Sequence, residues 1–232
     1  MNDLSQNRRK GLTSNALPKV DCPINWENID KGVSTRYILS EGFQNKNQEK
    51  HLPQWYALRC TYGQEKKAYE YIINHQGIAF YPTLKIVKEI KGKKKELEVS
   101  RIPNIFFAYG LEKDIQGFVY DNINLPYLRF YYEHVHIGNE ITKRPLIVPQ
   151  AQIDSLRIIC KYESEDIIIS KEDLSKFKSG DLVKVTQGKF TGVIGRVARY
   201  KGQQRVAVII DGLITAITAY IPNAFLEHAT NE

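Results

Sequence analysis

Apolar residues recur with a regular period only after residue 52. Upstream, Trp26, Ile29, Tyr37 and Ile38 stand alone among Asn, Gln, Lys, Ser and Gly. A stretch of that kind buries too little apolar surface to offset the entropy of ordering, so 1–52 is expected to be a disordered extension. Trp55-Tyr56-Ala57-Leu58-Arg59-Cys60 then reads as a strand by its aromatic content. Ala68 with Ile72, and Tyr69 with Ile73, lie four apart and so share a face, which predicts a helix from about Gln64 to His75, with Gly77 as its left-handed cap. Ile78 to Val87 is a second strand interrupted at Pro82, a residue that cannot donate to a ladder.

Ile86, Ile90, Leu97 and Val99 bracket Gly92 and Lys93-Lys94-Lys95, which predicts a β-hairpin with a basic tip. From Lys85 to Arg101, Lys85, Lys88, Lys91, Lys93, Lys94, Lys95 and Arg101 outnumber Glu89, Glu96 and Glu98, the steepest local charge in the chain. Two readings stay open: a solvated turn whose lysines deter edge-to-edge pairing, or a projection that reaches a phosphate backbone. Arg101 to Tyr109 is the most apolar strand of the first half, on both faces. One face has helices to pack on. The other either exposes Ile102, Pro103, Ile105 and Phe107 as a patch for a partner, or is covered by another helix of the same domain. Ile115, Phe118 and Val119 mark a helix within 112–121, Leu128 to Ile137 alternates like a strand, and Pro149 opens a helix with the stripe Ile153, Leu156, Ile159 and Cys160. The order of elements describes an α+β domain with an antiparallel sheet and helices, here 53–162.

An acidic connector, 163–176, is expected to link this domain to a second, all-β one at 177–228, with Ile167, Ile168 and Ile169 packing on one side or the other. Leu182, Val183 and Val185 form a short strand, Gln187-Gly188 a turn, and Val193, Ile194 and Val197 resume the apolar face. Gly188, Gly192 and Gly195 do not form a phosphate cradle, because Lys189 follows the first glycine and Gly-x-x-x-x-Gly-Lys-Ser/Thr is absent. The geometry of a small barrel explains them better. Val206, Val208 and Ile210 alternate up to Asp211-Gly212, the strongest short hairpin signal, and Leu213 to Ile221 alternates back.

The net charge of +7 favours a polyanionic partner, nucleic acid first. No apolar run approaches the eighteen or so residues of a membrane span, so no membrane role and a cytoplasmic location are expected. Cys22, Cys60 and Cys160 are odd in number and scattered, which supports neither disulfides nor a zinc cage. His134 and His136 fall on one face of a strand, yet no cluster completes a metal site, and no catalytic signature is present. An enzyme is not expected, and no cofactor is implied.

The segment Gly180 to Val197, with Gly188, Lys189, Gly192, Gly195 and Arg196, resembles the KOW motif of SH3-like barrels. Preceded by a Trp-Tyr strand, a helix, a basic hairpin and an Ile-Pro-Asn-x-Phe-Phe strand, it is similar over 54–226 to the two-domain NusG family. More narrowly, the strings Trp55-Tyr56-Ala57-Leu58-Arg59, Tyr62-Gly63-Gln64-Glu65-Lys66-Lys67-Ala68-Tyr69, Phe80-Tyr81-Pro82-Thr83, Arg101-Ile102-Pro103-Asn104-Ile105-Phe106-Phe107, Leu125-Pro126-Tyr127-Leu128-Arg129-Phe130 and Gly195-Arg196-Val197-Ala198-Arg199-Tyr200 resemble the UpxY-type antiterminators of capsular polysaccharide operons. That resemblance implies an operon-specific elongation factor that binds the clamp helices of RNA polymerase and suppresses pausing and termination. The binding depression would involve Ile102, Pro103, Ile105 and Phe107, with Phe80 and Tyr81 beside it. Arg59, Tyr62, Lys66 and Lys67, with Lys91 and Lys93, Lys94 and Lys95, would meet the non-template DNA strand or nascent RNA. The barrel would take ribosomal protein S10, termination factor Rho or RNA. The competing expectation is a KOW-type RNA-binding or ribosome-associated protein with no polymerase contact, for which the Ile102 to Phe107 patch has no use.

Overall fold

Strand β1, Gln54–Cys60, is the axis of the first half, because its alternation of large apolar side chains leaves neither face for water. The computed structural model describes residues 52–138, 140–163, 166–171 and 180–229. All of them fall in one compact unit, 47–232. Around β1 lie β2 (Ile78–Phe80), β5 (Ile105–Gly110), β6 (Leu128–Phe130) and β9 (Ile147–Val148), with the order β2-β5-β1-β6 and β9 also on β1. Every pairing is antiparallel, with Ala57 opposite Phe107 and Phe80 opposite Phe107 on its other side. Two separate ribbons project: β3 (Thr83–Ile90) with β4 (Lys93–Ser100), and β7 (Tyr132–Ile137) with β8 (Glu140–Pro145).

Pleating sorts the core into two layers. Tyr56, Leu58, Cys60, Phe106 and Ala108 point to one side, where α1 (Glu65–Asn74) supplies Ala68 and Ile72 and α2 (Glu112–Val119) supplies Ile115 and Val119. Trp55, Ala57, Ile105 and Phe107 share the opposite core with Ile153, Leu156 and Ile159 of α3 (Gln150–Cys160). The second half is a six-stranded antiparallel sheet, in the order β10 (Ile168–Ser170), β14 (Ile214–Ile217), β13 (Gln203–Ile210), β12 (Ile194–Tyr200), β11 (Leu182–Val185), β15 (Leu226–His228). Helix α3 lies between the sheets. Its Ile158 meets the backbone at Gly192, and the Ile194 amide donates to Ser155 Oγ at 2.9 Å.

The expected elements need correction in several places. The strand expected over Arg101 to Tyr109 starts only at Ile105, because Arg101–Asn104 forms a turn with Asn104 at φ 67°. The left-handed residue after α1 is Gln76, at φ 62°, not Gly77; Gly77 is required instead because a Cβ there would lie 2.5 Å from Ile72 Cγ2. The single strand expected over 128–137 breaks at Tyr131, whose amide donates to Ala57 O and whose carbonyl accepts from Leu146. Strand β8 carries Glu140, Thr142, Lys143 and Arg144 and shows no apolar period, so only pairing with β7 makes it a strand. Within the stretch expected to be a connector, Ile167 is buried and Ile168–Ser170 pairs with β14, so its isoleucines pack on the second sheet. Residues 1–51, 139, 164–165, 172–179 and 230–232 lie outside the described residues, and with them the expected disordered extension, Cys22 and most of the second part of the connector.

Candidate functional site

The turn Arg101–Asn104, which delivers the chain into β5, is tied to five separate segments. Cys60 N donates to Asn104 O at 2.9 Å, Arg101 N to Pro82 O at 2.9 Å, and Arg101 Nη1 to Tyr162 O at 2.8 Å. Lys171 Nζ donates to Pro103 O at 2.6 Å. Asn104 holds φ 67°, a left-handed conformation that asparagine tolerates better than most residues. Its amide donates to Glu65 Oε1 at 3.2 Å, so the first residue of α1, buried, fastens the turn. So many ties make this a rigid corner, and Pro103 stands exposed at its apex.

The exposed apolar patch expected at Ile102, Pro103, Ile105 and Phe107 does not exist as such. Ile102, Ile105 and Phe107 are 1%, 3% and 0% exposed; only Pro103 is at the surface. The physical reason is α3, whose stripe Ile153, Leu156 and Ile159 supplies the cover, which was the competing expectation. Phe80 and Tyr81 are half-buried at the rim: Phe80 stacks on Phe107 at 6.0 Å between centroids, and Tyr81 lies 5.7 Å from the Tyr69 ring. Burial raises the Tyr81 phenol above its ordinary value, against a Ser100 contact that lowers it and with Glu65 and Glu98 adding to the rise. Arg157 of α3 closes the same edge, its guanidinium 4.8 Å from the Trp55 ring centroid and 5.2 Å from that of Phe80, with Asp154 at 2.9 Å. Sequence reasoning missed Arg157; its place three residues after Asp154, on an apolar stripe, was the signal available.

The basic candidates do not form one surface. Arg59 follows Trp55 and Ala57 in the pleat and so points to the α3 side, where it lines a cleft with Tyr131, Tyr132, His134 and the Asp211-Gly212 turn. Tyr62, Lys66 and Lys67 sit at the start of α1, against the other face. Tyr62 is 90% exposed at φ 62°, an uncommon conformation for a tyrosine. Lys66 reaches Glu98 of β4 at 3.8 Å, which joins the start of α1 to the β3–β4 ribbon. Lys91-Gly92 is the ribbon's turn, both residues at positive φ, while Lys93, Lys94 and Lys95 belong to β4. In the second sheet Gly188 and Lys189 form an exposed turn, and Arg196 Nη1 donates to Gly180 O at 2.9 Å, so that arginine is engaged within the fold. His134 and His136 share one face of β7, with Lys143 opposite His134 and Ile141 opposite His136, a cation and a methyl group where a metal site needs donors.

Burial, with Glu65 adding to it, pushes the Cys60 thiol up to about 12, and burial pushes Cys160 up to about 11. The thiolate is the reactive form, so neither group is a nucleophile near neutrality. In a Cys22→Ser protein, a thiol-directed dye is expected to label nothing until denaturant is added. Prompt labelling of the folded protein would contradict the burial of both sites.

Among the described residues no helix is long and apolar enough to cross a membrane. In the comparisons with known proteins, the solved structure "Domain interaction in Thermotoga maritima NusG" is similar at a TM-score of 0.37 and 19% identity, over 78% of this chain and 99% of that one. The family described as "Transcription termination factor nusG" matches residues 53–157, the stretch that runs from the start of β1 almost to the end of α3. Residues 53–157, from β1 into α3, are therefore the part of the chain that is similar to the NusG family.

Proposed function

We propose that this chain is an operon-specific transcription elongation and antitermination factor of the UpxY type, acting in capsular polysaccharide gene clusters. It binds RNA polymerase and suppresses pausing and termination. The observation that carries the reading is the match of residues 53–157 to the NusG family, over a stretch that holds the Trp-Tyr strand, the basic ribbon and the Ile-Pro-Asn turn. In this reading the clamp helices of polymerase meet the rim formed by Phe80, Tyr81 and Pro103. Ile102, Ile105 and Phe107 form the floor that holds the rim in place. The second sheet acts as a KOW module for ribosomal protein S10, Rho or RNA. Tyr62, Lys66 and Lys67, with the lysines of the ribbon, face the non-template strand or nascent RNA, while Arg59, on the other side of the sheet, makes a separate contact.

Burial of Ile102, Ile105 and Phe107 is the one observation that favours the second reading, a KOW-type RNA-binding protein without polymerase contact. The two separate at Pro103. Its side chain is exposed and its carbonyl is the atom that Lys171 uses, so Pro103→Glu changes the rim without entering the core. Loss of one anchor at an interface centre is worth a kcal/mol or more, so the variant is expected to co-migrate with assembled elongation complexes about tenfold more weakly. Undiminished co-migration would remove the rim from the reading. If the parent protein itself fails to co-migrate but retains RNA, the second reading stands.

A further inference from the structure

The β3–β4 ribbon has two chemically different faces, and strand register separates them. Thr83 pairs with Ser100, Lys85 with Glu98, Val87 with Glu96 and Glu89 with Lys94. Their side chains share one face, on which two lysines meet three glutamates. Charges there are matched: Lys85 lies 3.8 Å from Glu96, and Thr83 Oγ1 donates to Glu98 at 2.7 Å. The other face carries Leu84 with Val99, Ile86 with Leu97, Lys88 with Lys95 and Ile90 with Lys93. Its inner half is apolar and half-buried; its outer half is three exposed lysines and no acid. Among the described residues none of Lys88, Lys93 and Lys95 is ion-paired, although Glu89, Glu96 and Glu98 stand on the same two strands.

Lys88 directly opposite Lys95 works against the ribbon, since like charges in register destabilise a strand pair. Deterring edge pairing does not account for it, because lysines on either face serve that purpose and those on the matched face do so without repulsion. A polyanion laid along the outer half removes the repulsion. Lys93 and Lys95, two residues apart on one strand, are spaced about 7 Å, a step comparable to that between successive phosphates of a nucleic-acid strand. We propose that one face of the ribbon, Lys88, Lys93 and Lys95, is a binding site for the phosphate backbone of nucleic acid, and that Lys85 and Lys94 on the opposite face take no part. This rests on the nucleic-acid part of the function proposed above and narrows it: two of the three lysines at 93–95 bind, and Lys88, not among the candidates from sequence, joins them.

The test compares two full-length variants of equal charge, Lys88→Gln with Lys95→Gln, and Lys85→Gln with Lys94→Gln. Binding to a fluorescent DNA duplex, and to one of its strands alone, is measured across a salt series. Each lost phosphate contact flattens the dependence of log K on log salt by about 0.9 for duplex and about 0.7 for single strands. The 88/95 variant is therefore expected to lose close to two units of slope on duplex, and the 85/94 variant none. The thermal midpoint of the 88/95 variant is expected to equal or exceed that of the parent, because a repulsion has been removed. Equal slope changes in both variants would reduce the effect to net charge and overturn the face assignment, as would a parent protein with no salt-dependent binding. If the 88/95 variant keeps its DNA slope but loses affinity for polymerase free of nucleic acid, the face belongs to a protein partner and the proposal fails. Pro103→Glu reports on the rim separately, so failure here leaves the polymerase reading intact.

Discussion

Phe107→Ala is expected to lower the unfolding free energy by about 3–5 kcal/mol, a large share of the roughly 5–15 kcal/mol that holds a typical domain together. Phe107 is fully buried at the middle of β5, opposite Ala57 on one side and Phe80 on the other, and shares its core with Ile153 and Leu156 of α3. Truncation removes a whole ring from a site where a sheet on one side and a helix on the other resist collapse, so the cavity term adds to the lost transfer energy. Phe107→Glu goes further, since it puts an unpaired carboxylate in the same space, and no folded protein is expected. A urea titration at matched protein concentrations measures the alanine variant through the shift of its midpoint at constant slope. A loss below about 1 kcal/mol would mean that α3 does not seal this face, because large-to-small changes in a sealed core cost more. Defective polymerase binding by a Phe107 variant would in any case report on folding, which is why the rim residue Pro103 is the better probe of docking.

What could be read from the chain depended on how many faces an element buries. Strand β1, helix α1 and the Asp211-Gly212 hairpin lie close to where expected, whereas β5 begins at Ile105, four residues after the expected start at Arg101, because Arg101–Asn104 forms a turn. Helix α3 is buried on two stripes. The first, Ile153, Leu156 and Ile159, was visible as an apolar face; the second runs through Ser155 and Ile158, and Ser155 looks polar until Ile194 is found bonded to its oxygen. The visible stripe covers Ile102, Ile105 and Phe107, but sequence alone did not say on which sheet it lies, so cover and exposed patch stayed open; the concealed stripe packs on the second sheet. Ribbon β7–β8 is the opposite case. Glu140, Thr142, Lys143 and Arg144 bury little, so no period marks β8, and backbone pairing with β7 alone defines it. Among the site residues the lysines and Arg59 are exposed and Arg196 is half-buried. Their division between two faces of the first sheet and the two faces of one ribbon depends on register, which composition does not carry.

Gly195→Ala is expected to cost about 3 kcal/mol, near the top of the range for overpacking a core, and more than Gly188→Ala in the same motif. The two glycines serve different needs. Gly188 sits in an exposed turn at φ 84°, where an added Cβ meets only Phe225 carbons at ordinary contact of 3.5 Å, so its replacement costs the backbone preference alone, about 1 kcal/mol. Gly195 has no unusual φ. It is buried in β12, and a Cβ would lie 2.5 Å from Ala207 O and 2.8 Å from Val206 Cγ1. Val206 Cγ1 can rotate away, but the Ala207 carbonyl belongs to β13, held to β12 by the pairs Arg196 with Ala207 and Val197 with Val206. Relief therefore requires the two central strands of the second sheet to part locally, which exposes backbone groups that are paired in the parent. Urea midpoints of the two variants against the parent decide it. Equal and small losses would show that β13 can yield at Ala207, and that the two backbones do not pass too close at 195 for a side chain.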